Sequence, residues 1–399
     1  MKRWGQGTET CCGPAFFEHG KLKKALYILL CEVYNVLVKN ISSERKNTMK
    51  QLRLVILGQG RSGRDIHGLH LKKDTERFKV VGVVEPLKPR RDRAAEEYGC
   101  EVFEDYHDIL DRKDIDLVVN ATPSNKHFEI TKDLLEHGFN VLTEKPFVPT
   151  VEEFDILEKT AKEHGCHMLV FQQSRFANYF VKVKEIIASG VLGRLAEVSI
   201  QFNGYARRWD WQCLLACNGG ALANTGPHPL DQALNILNDY DNMPNVFCKM
   251  DRLNVFGDAE DYCKLILTSP GKPLIDLEIS SADAYPLYTY KIQGSCGTLK
   301  GNMSHIDWKY FKPEEAPAHE NVPGPYYTTP EALPTYCGET LKWYEESWDG
   351  DPQAPFIAAV AEYYNQIYLL FTEGRPHDIQ PKQVRQQIAI TREAHRQNF

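Results

Sequence analysis

A glycine-rich turn between two apolar runs constrains the fold of this chain more than any other feature of its sequence. The apolar run Leu52–Leu57 leads into three glycines with G-x-G-x-x-G spacing, which are Gly58, Gly60 and Gly63. A second apolar run, Val80–Val84, ends at Glu85. This order predicts a strand, a tight turn, a helix and a second strand that ends on an acid, as in the first unit of a doubly wound parallel sheet.

The spacing of the glycines suits a bound dinucleotide. Gly58 permits the tight turn, Gly60 lets the backbone approach a pyrophosphate, and Gly63 lets the helix pack close to the sheet. The first helical turn, which begins with Arg61 and Ser62, would offer free N–H groups and a partial positive charge to the phosphates. The alternative is a turn that uses its glycines for backbone conformation alone.

The acid after the second strand predicts which dinucleotide binds. Glu85 would accept hydrogen bonds from the adenosine ribose hydroxyls, and its charge would repel a 2′-phosphate, so NAD is the expected cofactor. Lys88, Arg90 and Arg91 follow directly and could reach a 2′-phosphate if their loop turned inward. NADP therefore stays open as the second choice.

Composition and charge exclude several classes of protein. The 399 residues are enough for two or three domains, and 25% charged with 42% hydrophobic residues is typical of a soluble protein. A net charge of −7 argues against nucleic acid or an anionic membrane as the main partner. The 11 scattered cysteines favour a reduced cytoplasm over a disulfide framework. Cys213, Cys217 and His228 lie near one another in sequence, but we interpret them as unrelated core groups and expect no metal.

The first 48 residues differ in character from the rest of the chain. Their apolar segment, residues 25–38, is interrupted by Glu32 and Asn35, is too short to cross a bilayer and lacks the features of a signal peptide. An amphipathic helix is one interpretation. We adopt the other, in which residues 1–48 are a disordered extension or a start-site artefact and the folded protein begins near Met49.

The patterning of the rest predicts two α/β domains. From residue 49 to residue 171, apolar runs alternate with amphipathic stretches, which predicts an N-terminal Rossmann domain with a doubly wound parallel sheet. Strand patterns separated by short turns between residues 246 and 301 predict a C-terminal α+β domain, residues 172–399, with a large open, mostly antiparallel sheet. A hydrophobic face of that sheet could pack a helix layer or another subunit, and we expect a homo-oligomer formed through it.

The end of the chain divides into an irregular part and a helical part. Residues 312–354 are rich in Pro, Glu, Tyr and Trp and predict an irregular excursion over the surface. Residues 355–372 and 381–396 have helical patterns, so two helices are expected to close the chain.

Ligands bind a doubly wound sheet at the carboxyl ends of its strands, so the residues that follow each strand matter most. The turn after the fourth predicted strand contributes four candidate cofactor-binding residues, which are Thr122, Pro123, Asn125 and His127. After the fifth predicted strand come Glu144 and Lys145, two further candidates. An ammonium at Lys145 would lie beside the nicotinamide and could polarise a substrate oxygen, whereas the alternative is a solvated turn lysine.

A helix start in the second half carries a candidate acid/base residue. Gly226 and Pro227 predict that start, which places His228 at the positive end of the helix dipole. The dipole disfavours the imidazolium and keeps the ring neutral, as a general base requires. Asn224 lies close by in the sequence and could orient the imidazole. A satisfied polar histidine without a catalytic role is the alternative.

One loop has the residue types that suit a hydroxylated ligand. Residues 205–212 combine aromatic rings with Arg and Asp side chains, including Trp209 and Asp210. Aromatic faces and carboxylates suit a sugar or polyol. The alternatives are an ordinary surface loop and a loop that packs on a partner subunit.

Four motifs in a fixed order together resemble one known family. They are the glycine turn, Ala-Thr-Pro-Ser-Asn-Lys-His at 121–127, Glu-Lys-Pro at 144–146, and Gly-Gly-x-Leu-x-Asn-x-Gly-x-His-x-x-Asp at 219–231. With the closing Pro-His-Asp-Ile-Gln-Pro-Lys-Gln-Val, they resemble the glucose–fructose oxidoreductase / inositol dehydrogenase / MocA family over residues 50–399. The resemblance implies a Rossmann domain that binds NAD or NADP and a C-terminal domain whose open sheet holds the substrate and often forms the oligomer interface.

The resemblance also implies roles for individual residues. Lys145 matches the lysine of the family's Glu-Lys-Pro motif and would hydrogen-bond the reacting oxygen. His228 matches the histidine of its Asp-x-x-x-His motif and would act as acid/base. Asn224 stands where the family has the aspartate, and an amide cannot stabilise an imidazolium with a charge, so a weaker base is expected.

These observations lead to one main functional hypothesis and two alternatives. The main one is a cytoplasmic NAD-dependent dehydrogenase that acts on a sugar, glycoside or polyol hydroxyl, with Arg175, Trp209 and Asp210 as substrate contacts. One alternative is an enzyme that uses tightly bound NAD for transient oxidation in glycoside cleavage or isomerisation. The other is a dinucleotide-binding sensor or scaffold without turnover.

Overall fold

The structure is a computed structural model that describes residues 50–351 and 354–399. The interpretation of residues 1–48 falls outside the described residues.

Six short apolar strands form the first sheet, and all of their pairings are parallel. They are β1 (Leu52–Leu57), β2 (Phe78–Val84), β3 (Glu101–Phe103), β4 (Leu117–Asn120), β5 (Val141–Thr143) and β6 (Met168–Val170). Their spatial order is β3-β2-β1-β4-β5-β6, so the direction of winding reverses between β1 and β4. The predicted doubly wound Rossmann sheet is confirmed, and its carboxyl edge at this reversal is where such sheets bind ligands.

Helices cover both faces of this sheet because its strands are apolar on both sides. The helical elements are a π-helix at Arg61–Gly68 with a short α-helical continuation at Leu69–Leu71, then Lys88–Tyr98, His127–Glu136 and Val151–Glu163. The Thr150 hydroxyl accepts the backbone N–H of Glu153 at 3.1 Å and so caps the last of them. The π-helical winding directly after the glycine turn was not predicted.

Eight strands form the second sheet, in the order β14-β13-β12-β11-β7-β10-β9-β8. They are β7 (Leu195–Asn203), β8 (Asn245–Asp251), β9 (Tyr262–Thr268), β10 (Leu274–Ser280), β11 (Tyr290–Gly294), β12 (Gly297–Gly301), β13 (His305–Phe311) and β14 (Trp343–Asp349). β7 and β10 pair in parallel and the other described pairs are antiparallel, which confirms the predicted mostly antiparallel sheet. The prediction missed β13, and it was wrong to make residues 312–354 entirely irregular, because β14 lies there.

The second sheet has two chemically different faces. Buried residues such as Leu265 and Leu277 alternate with half-exposed polar residues along β9 and β10. On the polar side Lys264 lies 3.2 Å from Glu278. The buried side packs against the helices Asn178–Ala188 and Pro227–Leu237. The expected homo-oligomer stays a prediction.

The two closing helices, Ala354–Glu373 and Pro381–Arg396, match their predicted positions and pack into both cores. Tyr363 and Ile367 belong to the core of the first sheet, whereas Ile390 belongs to the core of the second. The predicted domain boundary after residue 171 stays a prediction. Among the described helices, none is both long and apolar enough to span a membrane.

Candidate active site

The glycine turn after β1 leaves room where a phosphate group would lie. A Cβ on Gly58, whose φ is +89°, would lie 2.6 Å from the Ala121 carbonyl oxygen, and one on Gly63 would lie 1.9 Å from the Gly58 carbonyl oxygen. A Cβ on Gly60, in contrast, would meet no described atom within 4 Å. The helix that starts here has no side-chain cap and no acid in its first turn, which starts with Arg61 and Ser62. Open space before uncapped N–H groups fits a dinucleotide pyrophosphate.

Glu85 lies immediately after β2, on the same edge of the sheet. It is 4% exposed, and its carboxylate accepts the backbone N–H of Gln59 at 2.8 Å and that of Leu87 at 3.0 Å. Arg90 Nη1 is 3.7 Å from its Oε2. Glu85 therefore fixes the turn, and its position beside it suits recognition of a ribose.

The basic residues that could favour a 2′-phosphate have acidic partners. Lys88 Nζ lies 2.7 Å from Asp92, and Arg91 Nη2 lies 2.8 Å from Glu104. Because these cations already pair with carboxylates, the charge left to attract a 2′-phosphate is reduced.

The turn after β4 contains four of the predicted cofactor contacts, and the structure separates them into two groups. Pro123 and Asn125 are exposed, and Thr122 donates its hydroxyl to Asn120 Oδ1 at 2.7 Å. His127, in contrast, is 1% exposed, with Nδ1 2.8 Å from the Pro146 oxygen and Nε2 3.0 Å from the Thr122 oxygen. The expectation that His127 contacts the cofactor is therefore corrected. Its ring contacts the turn after β4 and the turn after β5 and so connects them.

The lysine after β5 reaches the second half of the chain. Lys145 Nζ donates to the backbone oxygen of Asn224 at 3.0 Å. Burial lowers the pKa of Lys145, and the neighbouring Glu144 carboxylate opposes this effect. Glu144 is 4% exposed and accepts the backbone N–H of Lys145 at 3.0 Å, and its predicted contact with the cofactor stays a prediction.

His228 begins the helix Pro227–Leu237, as predicted, and its ring is held by a residue that the sequence analysis missed. Its Nδ1 lies 3.2 Å from the hydroxyl oxygen of Ser174. Burial lowers the pKa of His228 to about 3, and the nearby Lys145 charge acts in the same direction. Lys145 Nζ contacts the backbone at Asn224, four residues before His228 in the sequence.

Asn224 was expected to orient the His228 ring, and the structure shows another arrangement. Its side-chain amide exchanges two hydrogen bonds of 3.2 Å with Gln212. Gln212 also accepts a hydrogen bond from Arg208. The expectation is therefore corrected: Ser174 contacts the imidazole, and Asn224 connects the loop 205–212 to the carbonyl that holds Lys145.

Arg175 was expected to contact substrate, but its guanidinium is bound inside the protein. It pairs with Asp231 through two hydrogen bonds, of which the one from Nε measures 2.9 Å. Its Nη1 donates to the Asp378 oxygen at 3.1 Å and to Gln383. Arg175 is only 2% exposed, so the expectation is corrected to a structural role.

Trp209 and Asp210 lie in the loop where a sugar contact was predicted. The Trp209 side chain is 79% exposed and stands edge-on to Phe256, with ring centroids 6.4 Å apart. Asp210 lies 2.6 Å from Arg208 Nη2 and accepts the backbone N–H of Gln212 at 3.2 Å. The Trp209 indole is exposed and the Asp210 carboxylate pairs with Arg208, so the predicted sugar contact stays a prediction.

A mostly apolar cavity of about 230 Å³ lies behind this site. Lys145, Leu222 and Pro227 contribute to its wall, and helix Pro381–Arg396 closes it, whereas neither His228 nor the glycine turn lines it. In the described part of the chain, no group of three or more His, Cys, Asp or Glu side chains could hold a metal ion.

The chain belongs to the GFO/IDH/MocA family of oxidoreductases. The family's NAD-binding Rossmann domain matches residues 52–172, and its C-terminal domain matches residues 180–300. The first range contains the glycine turn and Lys145, and the second contains His228.

Three curated relatives show the range of chemistry in this family. The 2,7-anhydro-N-acetylneuraminate hydratase of Mediterraneibacter gnavus is 28% identical over 267 residues, which is 64% of this chain and 68% of the relative. The scyllo-inositol 2-dehydrogenase (NAD(+)) of Bacillus subtilis is 31% identical over 158 residues, which is 39% of this chain and 45% of the relative. The scyllo-inositol 2-dehydrogenase (NADP(+)) IolW of the same organism is 28% identical over 188 residues, 46% of this chain and 51% of the relative.

A solved structure shows that the fold is shared. The WlbA dehydrogenase from Bordetella pertussis, in complex with NADH and UDP-GlcNAcA, superposes with a TM-score of 0.68 at 20% identity. The match covers 87% of this chain and 98% of that chain.

Two glycine variants should separate cofactor binding from folding. Gly60→Ala adds a methyl group where no described atom lies within 4 Å, so the stability of the protein should be unchanged while the Kd for NAD rises at least about tenfold. Gly63→Ala places its methyl 1.9 Å from a backbone oxygen and should lower the melting temperature. Calorimetry and fluorescence titration measure the two effects, and unchanged NAD affinity in Gly60→Ala would contradict the pyrophosphate assignment.

Proposed function

We propose that this protein is an NAD-dependent dehydrogenase that oxidises a hydroxyl of a sugar, glycoside or polyol. The observation that carries the proposal is the 3.0 Å contact from Lys145 Nζ to the Asn224 oxygen, which brings the ammonium beside the helix of His228. In the oxidation of an alcohol, an ammonium can stabilise the developing alkoxide and a neutral imidazole can accept the hydroxyl proton.

Each of the two residues has one task in the reaction. NAD, when bound, accepts the hydride that the carbinol carbon gives up. Lys145 donates an N–H to the hydroxyl oxygen and stabilises the negative charge that develops there. With its Nδ1–H donated to Ser174, His228 accepts the hydroxyl proton at Nε2 and returns it to solvent after the product leaves.

The lowered pKa values of His228 and Lys145 predict how the activity of the proposed site changes with pH. With its pKa lowered to about 3, His228 is neutral across the physiological range, although it is a weak base. Lys145 must keep its proton to polarise the oxygen, and burial lowers its pKa. We therefore expect activity to fall as the pH rises through the pKa of Lys145. We expect no fall in activity just below neutral pH, because His228 stays neutral there.

The substrate class rests on the loop 205–212 and on the relatives. Exposed Trp209 offers an aromatic face, and the Asp210 and Arg208 side chains offer hydrogen-bonding groups beside it. The related proteins named as inositol dehydrogenases and as an anhydro-sugar hydratase act, by their names, on polyhydroxylated rings. A small carbohydrate or polyol is the proposed ligand, and we propose that the enzyme acts in the cytoplasm as a homo-oligomer.

NAD is the proposed cofactor, and its affinity should exceed that of NADP. The Glu85 carboxylate beside the glycine turn would repel a 2′-phosphate, and Lys88 and Arg91 pair with acids. We expect the Kd for NADP to be at least about tenfold higher than that for NAD, because like charges held close in a buried site cost more than about 1.4 kcal/mol. Isothermal titration calorimetry measures both constants, and tighter binding of NADP would overturn this choice.

Transient oxidation is the second candidate function. One relative is named as a hydratase, and a hydratase reaction involves no net oxidation of its substrate. The same Lys145 and His228 would serve such a reaction, since it also begins by removing a hydroxyl proton. In that case purified protein would carry NAD, and substrate would be converted without accumulation of NADH.

A panel of sugars, glycosides and polyols, followed by NADH absorbance and by chromatography of the products, tests the proposal. NADH formed in proportion to product supports the dehydrogenase. Product without NADH supports transient oxidation. NAD binding with no conversion anywhere on the panel would support a sensor or scaffold and contradict the proposed enzyme.

A further inference from the structure

A chain of three buried polar side chains lies directly behind Lys145. The Tyr364 hydroxyl oxygen is 2.8 Å from His67 Nδ1, and His67 Nε2 is 3.3 Å from Glu144 Oε1. His67 and Tyr364 are 0% exposed and Glu144 is 4% exposed. The three residues come from the π-helix after the glycine turn, the end of β5 and a closing helix, so three distant segments meet at this one carboxylate.

The His67 ring contacts the Tyr364 phenol on one side and the Glu144 carboxylate on the other. Burial raises the pKa of Tyr364 well above its ordinary value, so the phenol keeps its proton and can donate it to Nδ1. Glu144 Oε1 has no hydrogen-bond partner with good geometry among the described residues, so its contact with His67 Nε2 at 3.3 Å is electrostatic.

The same carboxylate holds Lys145 in two ways. Glu144 Oε2 accepts the backbone N–H of Lys145 at 3.0 Å. Burial alone would raise the pKa of Glu144, but the contact with His67 and the Lys145 charge outweigh it and bring the pKa to about 2. A buried anion is thus fixed to the lysine's own peptide group, and its charge opposes the loss of the ammonium's proton.

The other charged groups around Glu144 and Lys145 show why the negative charge of Glu144 is needed to keep Lys145 protonated. Burial lowers the pKa of Lys145, and the positive charges of Arg61 and Arg208 lower it further, so Glu144 is the neighbour that opposes them. His228 lies within reach of both charges, and its ring is neutral. His127, buried and with a lowered pKa, also faces Glu144. Tyr363 is a further neighbour, and burial keeps it protonated.

We propose that Glu144, held as a buried anion by His67 and Tyr364, is a positioning residue that keeps Lys145 protonated and in place. This inference rests on the proposed role of Lys145. It gives Glu144, which the sequence linked only to the cofactor, a role in the reaction and adds His67 and Tyr364, which lie in none of the four motifs. The series Tyr364, His67 and Glu144 also connects the helix after the glycine turn to Lys145. The cofactor-binding part and the proton-handling part of the site therefore contact the same buried side chains.

The direct test measures the pKa of Lys145 by NMR of isotope-labelled lysine, with the resonance identified from its loss in Lys145→Met. Glu144→Gln should lower the Lys145 pKa by about one to three units, because it removes a nearby opposite charge. His67→Phe should lower it in the same direction by removing the donor that holds Glu144. His67→Gln should restore most of the difference, since its amide N–H can replace imidazole Nε2–H.

A matched control separates this effect from simple packing. His70 lies in the same helical stretch and stacks on the Tyr364 ring at 4.7 Å, but its ionic partner is Asp74. His70→Phe should therefore leave the Lys145 pKa unchanged even if it changes the melting temperature. Tyr364→Phe, which keeps the ring, gives a second variant on the chain in case Glu144→Gln does not fold.

Two readouts keep this inference distinct from the proposed function. In the variants that turn over, the alkaline limb of kcat/KM should move to lower pH by the same amount as the NMR pKa. Absence of turnover in the native protein would contradict the proposed function while leaving the NMR result valid. An unchanged Lys145 pKa in both Glu144→Gln and His67→Phe would overturn the positioning role, whatever the activity.

Discussion

Replacing Lys145 with methionine is expected to lower kcat by about 10³-fold while leaving NAD affinity nearly intact. Methionine keeps the length and apolar character of the side chain but removes the ammonium that donates to the Asn224 oxygen at 3.0 Å. Without that charge, the alkoxide that develops during oxidation loses its main stabilising partner. The loss should therefore appear in kcat rather than in binding of the cofactor.

A surface lysine provides the control for this variant. Lys159 lies in the helix Val151–Glu163 with a side chain that is 75% exposed, and its acidic partner Glu163 is 3.7 Å away. Lys159→Met removes the same charge far from the site and should retain full activity. Steady-state kinetics and a cofactor titration of both variants measure the difference, and near-native turnover of Lys145→Met would rule out the proposed mechanism.

Replacing Arg175 with leucine is expected to lower the free energy of unfolding by about 3–5 kcal/mol, because it leaves the buried Asp231 carboxylate without a partner. Both side chains are almost fully buried, at 2% and 3% exposure. Arg175 also donates to the Asp378 oxygen at 3.1 Å, so its loss affects the segment before the last helix. Urea denaturation followed by circular dichroism measures the change.

An exposed ion pair of the same geometry serves as the matched control. Arg385 binds both oxygens of Asp155 at 2.7 and 2.9 Å, but both side chains are 47% exposed. Arg385→Leu should cost no more than about 1 kcal/mol. The double variant Arg175→Met with Asp231→Leu should regain most of the lost stability, since it removes both buried charges. Equal costs for the buried and the exposed arginine would contradict the structural role of Arg175.

The first sheet could be predicted from sequence because its signals are local. Each strand is a short apolar run, and the glycine turn allows few other arrangements. The edge strand β14 gave a weaker signal, because strand Trp343–Asp349 is largely polar and exposed and does not show the alternation of a half-buried strand. The pattern therefore resembled an irregular surface segment.

The site was predictable where a residue follows a strand or starts a helix, and not where contacts cross the fold. Lys145 and His228 were predicted from such positions, and their roles stay predictions. The contact between Ser174 and His228 spans 54 positions and that between His67 and Tyr364 spans 297, so no local pattern indicates either. Arg175 was misjudged because a charged residue near a cleft gives no sign, in sequence, of a buried partner.

The central claim is that this site moves a hydride from a carbinol carbon to NAD with help from Lys145. The most direct measurement incubates the native protein with NAD and a polyol or sugar deuterated at its carbinol carbons, and follows the label by mass spectrometry of the cofactor. We predict deuterium in NADH or in the NAD pool of the native protein and of Lys159→Met, and little in Lys145→Met. Conversion of a substrate without any transfer of deuterium to the cofactor would contradict the claim.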